Sequence, residues 1–299
     1  MLAIQHVTAN GVRFAYLEEG RGPLVLLVHG FPDTAHTWDA IRPALAERGY
    51  RAVSPFTRGF WPTEAAADGR YDAETLGRDL LALIAALGER DAILVGHDFG
   101  ATAAYMAASL EAERVRFLAT IAVPHPAGLR ASPRLVWGMR HFFPLRRKHT
   151  AQHVRAENFA YLDRLVHRWS PTWQFSEADM AAVKETFAHP ESLDAALAYY
   201  RAVSRQLPAP LLQPIAVPSA VFVGREDGTM RPPDYERARR CYAAPHQIID
   251  LPGGHFLHRE HPQPFIEALL QVLPRAEPVG LHDVAHADEH LIGGAPNRA

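Results

Sequence analysis

The sequence predicts an α/β architecture: a mostly parallel sheet with helices on both faces, interrupted by a helical insert. Three observations predict it. Short unbroken apolar runs alternate with amphipathic helical stretches through the first 124 residues. That alternation stops between about Pro124 and Pro214, where only helical patterns occur, and it resumes after Pro218. Length fits one large domain or two small ones, and 48% apolar with 21% charged residues excludes disorder and collagen-like fibres.

Residues 12–17 read as a strand, and Leu24–Val28 is an apolar run of the kind a strand buried on both faces requires. A helix over 38–47 and a strand over 50–54 follow. The stretch 73–87 is strongly amphipathic, with Leu76, Leu80, Leu83, Ile84 and Leu87 on one face. Strand 92–95, helix 101–110 and strand 115–123 complete the first part. Helical stretches at 156–169, 177–187 and 193–207 are broken by Pro144, Pro171, Pro190 and Pro208. Strand 220–223, helix 234–241, strand 247–251 and helix 264–273 then restore the alternation. The expected domains are a core (1–124 and 215–276), a helical cap (125–214) and a loose tail (277–299).

Charge and cysteine usage limit the partners. The balance of 31 basic against 33 acidic residues gives −2, and no run rich in Lys and Arg stands out, so a nucleic-acid footprint is not expected. Cys241 is the single cysteine and cannot form an internal disulfide, which fits a reducing compartment. With no signal-like start and no apolar stretch near ~18 residues, a soluble cytoplasmic protein without a membrane span is expected. Oligomeric state stays open, a homo-oligomer included. His282, His286 and His290 sit four apart in the tail and read as a solvated stretch rather than a metal site.

The strongest local signal is Val95-Gly96-His97-Asp98-Phe99-Gly100, between a strand and a helix. Its small-x-nucleophile-x-small spacing suits a strained turn that exposes one side chain at the carboxyl end of the sheet. On this motif alone, Asp98 could equally be a helix N-cap between two turn glycines. Three more pieces stand at strand ends: His29-Gly30-Phe31-Pro32, Gly224-Arg225-Glu226-Asp227 and Gly253-Gly254-His255. Each alone could be ordinary turn chemistry. Together they keep the order nucleophile, acid, histidine.

On these motifs the chain resembles the α/β-hydrolase fold family and, within it, the epoxide hydrolases, over residues 10–274. Arg58-Gly59-Phe60 is similar to that branch's Arg-Gly-aromatic loop, where Arg58 is read as structural. The resemblance implies an eight-stranded sheet with the cap after the sixth strand and no cofactor or metal. It also implies Asp98 as nucleophile, His255 as base, Asp227 as its orienting acid, and the amides of Phe31 and Phe99 as an oxyanion hole.

An Asp nucleophile narrows the chemistry. Attack on an ester would give a labile anhydride, whereas displacement at an sp³ carbon is within its reach. Epoxides, alkyl halides and haloacids remain. Dehalogenases of this resemblance place Trp or Arg after the nucleophile and Asn in the oxyanion loop; Phe99 and Phe31 stand there instead. An epoxide oxygen needs an acid, and Tyr199-Tyr200-Arg201 resembles the branch's lid Tyr-Arg element, which makes Tyr200 the acid. A phenol of pKa about 10 stays protonated at neutral pH. The second lid tyrosine is missing: the segment 137–144 has none, and Phe142 stands where its hydroxyl would be. His141 or His153 are substitutes to consider. The expected pocket includes His29, Pro32, Trp137, Phe142, Tyr161 and Tyr199, and takes a small apolar epoxide. The alternatives are a dehalogenase of the same fold and a non-catalytic binding protein.

Overall fold

Among the described residues, eight strands form one sheet in the order β1-β2-β4-β3-β5-β6-β7-β8. The structure is a computed structural model, and it describes residues 2–204 and 206–276. In chain order the elements are β1 (Gln5–Ala9), β2 (Val12–Gly20), β3 (Leu24–Val28), α1 (Ile41–Glu47), β4 (Arg51–Pro55), α2 (Ala73–Ala86), β5 (Ala92–His97), α3 (Phe99–Leu110) and β6 (Val115–Ile121). The insert carries α4 (Pro133–Gly138), α5 (Phe142–Leu145), α6 (Thr150–Trp169), α7 (Glu177–Ala188) and α8 (Pro190–Ala202). The sheet then closes with β7 (Ser219–Gly224), α9 (Pro232–Ala238), β8 (His246–Leu251), α10 (Leu257–Glu260) and α11 (Pro262–Val272). Strands β1, β2 and β4 pair antiparallel in turn, and every other pairing is parallel.

The run Leu24–Val28 shows why the pattern works. Leu24, Leu26 and Val28 enter the core shared with α2 and α3. Val25 and Leu27 enter the opposite core, with Ile41 and Leu45 of α1 and Phe265 and Leu269 of α11. With side chains alternating at a period of two, a strand covered on both faces must be apolar throughout. The parallel strands therefore end together at one edge of the sheet, and their loops meet there.

Three expectations change. The pattern reading assigned nothing to β1, because Gln5, His6 and Thr8 alternate only weakly and the strand lies at the sheet edge. The signal was Asn10-Gly11, both at positive φ (44° and 73°), which turns β1 into β2 as a tight hairpin. Helix α8 covers 190–202 rather than 193–207: Pro190 opens its first turn instead of breaking it. Helix α6 starts six residues before the expected 156 and is interrupted at Ala156–Phe159, where Glu157, Asn158 and Phe159 take left-handed φ. The tail histidines at 282, 286 and 290 lie outside the described residues. No helix among those described is long and apolar enough to cross a membrane.

Candidate active site

Asp98 sits at the joint of β5 and α3 with φ 53° and ψ −118°. For a residue with a side chain this conformation costs on the order of 1–3 kcal/mol, which the surrounding packing must hold in place. A Cβ added at Gly96 would come within 2.4 Å of the Gly100 carbonyl oxygen, and one at Gly100 within 2.2 Å of the Val28 carbonyl oxygen. Those two contacts explain the glycines of the motif. The N-cap alternative fails, since the Asp98 side chain makes no capping bond to α3. Instead its Oδ1 accepts from the Phe31 amide at 3.0 Å, and its Oδ2 lies 3.4 Å from His255 Nε2.

The loop after β8 delivers His255, and the loop after β7 delivers Asp227. His255 Nδ1 lies 3.1 Å from Asp227 Oδ2. The other oxygen, Oδ1, accepts from the Thr229 amide (2.6 Å), the Thr229 hydroxyl (2.7 Å) and the Met230 amide (3.3 Å). Burial works against charge on His255, but Asp227 and then Asp98 outweigh it and carry the imidazole up to about 9. Burial likewise opposes charge on Asp98. The hydrogen bond and charge of His255 prevail, with His97 and the Phe31 amide adding to them, so its carboxyl titrates below the usual value. The two shifts favour a charged imidazole facing a charged Asp98.

Over this site the insert closes a cavity of about 300 Å³, lined by Asp98, Phe99, His141, Phe142, Trp169, Tyr200 and His255 among others. Tyr200 is only 1% exposed, and its ring meets Phe31, Phe99 and Phe142 edge-on with centroids at 5.2, 4.9 and 4.9 Å. Its hydroxyl has no hydrogen-bond partner among the described residues. Burial pushes the phenol well above its ordinary value, while burial brings the imidazole of His141 down to about 3.

Several expected pocket residues stand elsewhere. Trp137 is 68% exposed and points away from the cavity, because α4 turns its Gly138–Met139 side inward. Tyr161 lies off the cavity on α6, against the exposed His153, with ring centroids 5.2 Å apart; neither reaches the site. His29 is spent on the loop below, taking the Thr57 amide on Nε2 at 3.0 Å, with burial lowering it to about 4. Pro32 is buried beside Phe31 and does not line the cavity. Tyr199 does line it, but its hydroxyl donates to the Arg58 carbonyl at 2.8 Å. Arg58 itself is bound to Asp79 by Nε and Nη2, each at 2.6 Å, and to Asp68 at 3.1 Å.

The residues missed by sequence reasoning hold the loops. Through its carbonyl, Trp169 at the end of α6 accepts the amides of both Gly228 and His255, each at 3.0 Å, and so fixes the Asp227 and His255 loops together. The Ser170 hydroxyl accepts from the Phe256 amide at 2.9 Å. No local signal marks either residue; they act through the folded position of α6. Beneath the site, Asp33, His97 and His258 bring three possible ligand atoms within 4.8 Å of one another. Arg259 already places a guanidinium 3.3 Å from Asp33, so the carboxylate there does not call for a metal cation.

A profile of the alpha/beta hydrolase fold matches residues 23–262. An epoxide hydrolase from Caballeronia sordidicola is 41% identical over 119 residues, a match spanning 40% of this chain and 36% of that relative. Epoxide hydrolase A from Mycobacterium tuberculosis is 28% identical across 91% of this chain and 97% of its own. The crystal structure of a Bacillus megaterium epoxide hydrolase shares the fold with a TM-score of 0.78, at 22% identity, over 90% of this chain and 99% of that one.

Proposed function

This chain belongs to the α/β-hydrolase fold family, and within it we propose a cofactor-independent epoxide hydrolase that forms vicinal diols through an ester on Asp98. The observation that carries the proposal is a carboxylate at the elbow tip. It is uncapped, held by the Phe31 amide, and faces a buried phenol across the cavity. The relatives named as epoxide hydrolases support the same substrate class. Residues 125–214 act as the cap that closes over the substrate.

One carboxylate oxygen of Asp98 attacks an epoxide carbon while the strained C–O bond breaks. Tyr200 donates to the departing oxygen, which leaves as an alcohol, and the phenol regains its proton from solvent. Its raised pKa keeps the donor protonated across the physiological range. His141 supplies the second donor in place of the missing tyrosine: at a pKa of about 3 it is neutral and carries one N–H. Esterification removes the charge of Asp98, one of the two carboxylates that hold the proton on His255. With that charge gone the imidazolium loses its proton to solvent, and the neutral imidazole then accepts a proton from water and directs the hydroxide at the ester carbonyl. The amides of Phe31 and Phe99 receive the oxyanion.

Dehalogenation is the second reading, favoured by the indole Nε1 of Trp169, which is buried without a partner on the same cavity wall. The test is a matched panel of apolar epoxides and the corresponding chloro- and bromoalkanes. Diol formation without halide release supports the proposal; halide release without diol formation replaces it.

A further inference from the structure

The short helices α4 and α5 have two different faces. Met139, His141 and Phe142 line the cavity from within. On the outside, Val136, Trp137 and Phe143 are exposed to 51%, 68% and 63%. The same segment carries Arg130, Arg134, Arg140, Arg146, Arg147 and Lys148, with no Asp or Glu anywhere between 130 and 148. All but Arg140 are exposed, and the guanidinium of Arg140 lies over the Trp137 ring at 4.3 Å. The ion pairs of the described residues, such as Lys184–Asp163 in the same insert, include none of these six. A chain with a net charge of −2 thus gathers in this segment six cations that form no ion pair among the described residues.

We propose that this face docks on an anionic lipid surface, with Val136, Trp137 and Phe143 entering the interface and the six cations meeting the headgroups. Charge complementarity selects this occupant. Aromatic and aliphatic anchors ringed by Arg and Lys are what an interfacial segment needs: apolar area to bury and charge to hold it against acidic lipid. A second copy of this chain would bring the same positive charge to the same place and be repelled. The arrangement sets the roof of an apolar cavity against the phase where apolar substrates dissolve. That benefit rests on the epoxide reading above, whereas the docking itself does not.

The test is sedimentation of the full chain with vesicles of phosphatidylglycerol and phosphatidylcholine, against phosphatidylcholine alone. Since the chain has five tryptophans, the part of the emission change that Trp137→Phe removes provides a second readout. The expected result is binding to the anionic vesicles only, a blue shift of emission, and at least a tenfold loss of binding in 0.5 M salt, about where screening shortens to a few ångströms. Arg146→Glu with Arg147→Glu, and separately Val136→Ser with Phe143→Ser, should each weaken vesicle binding about tenfold or more. Turnover of a water-soluble epoxide should stay unchanged, which separates this proposal from failure of the catalytic one. Absence of binding at low salt overturns the proposal, as does wild-type binding by both variants. A dimer in light scattering that Val136→Ser with Phe143→Ser dissolves, without vesicle binding, would assign the face to a second copy instead.

Discussion

Asp227, on the sheet side of the cleft, has both carboxylate oxygens engaged by Thr229, Met230 and His255. Across the cavity, the hydroxyl of Tyr200, the indole nitrogen of Trp169 and Nδ1 of His141 are buried without partners among the described residues. Asp98, Asp227 and His255 are engaged with one another and with the Phe31, Thr229 and Met230 amides before substrate arrives. By contrast, the insert side keeps desolvated polar groups, each costing on the order of 1–3 kcal/mol while unpaired. Such groups repay their cost only when a partner enters. On the proposed mechanism the difference divides the labour: Asp98, Asp227 and His255 make and break the ester, and the insert meets the oxygen that leaves.

The largest effect should come from breaking the engaged side. His255→Gln leaves Asp98 able to attack but removes the base, so steady turnover should fall by about 10⁴-fold or more. Intact-protein mass spectrometry should then show an adduct equal to the substrate mass. An unmodified variant, tested with a substrate that wild type consumes, would argue against the covalent route.

On the insert side, Tyr200→Phe should lower kcat by about 10²–10³-fold, by analogy with loss of an oxyanion donor. His141→Phe should cost on the order of tenfold if it shares that load. Wild-type kcat in both variants would remove the insert from the chemistry.

Stability should respond in the opposite sense, which sharpens the contrast. Asp227→Ala strands the Thr229 and Met230 amides and should cost about 1–3 kcal/mol in urea unfolding. Tyr200→Phe removes a hydroxyl that has no partner, so it should leave stability unchanged or raise it. Equal losses in the two variants would mean that the phenol is already bonded in the resting protein.

The smallest effect is on pH. His255 is raised from its ordinary 6.5 to about 9, so its stabilising contribution is complete below about pH 6.5 and fades as pH rises through 9. His255→Gln should flatten that slope. Hydrolysis of the ester needs the neutral imidazole and should therefore speed up with rising pH. Its midpoint should lie below 9, because the Asp98 charge is gone in the ester. Ester breakdown that slows with rising pH would contradict this order of events.

The same division explains what was legible in the sequence. Asp98, Asp227 and His255 follow strand ends, where a short loop leaves a side chain few places to go, so a spacing motif locates it in space. Trp137 and Tyr161 were misplaced because a residue on an insert helix faces the cavity only if that helix is rolled the right way. The roll depends on packing that no local pattern encodes. Tyr200 was located because its neighbours Tyr199 and Arg201 carry a recognisable element. Trp169 carries none, although its carbonyl ties the Asp227 and His255 loops together.

The central claim is that Asp98 attacks carbon, and a single turnover in ¹⁸O-water with enzyme in excess tests it most directly. Attack by the carboxylate places an Asp98 oxygen in the first diol, and hydrolysis returns a water oxygen to Asp98. The account predicts an unlabelled first diol and label on the peptide that contains Asp98. A labelled first diol with Asp98 unlabelled would contradict it, because water would then have attacked the epoxide itself.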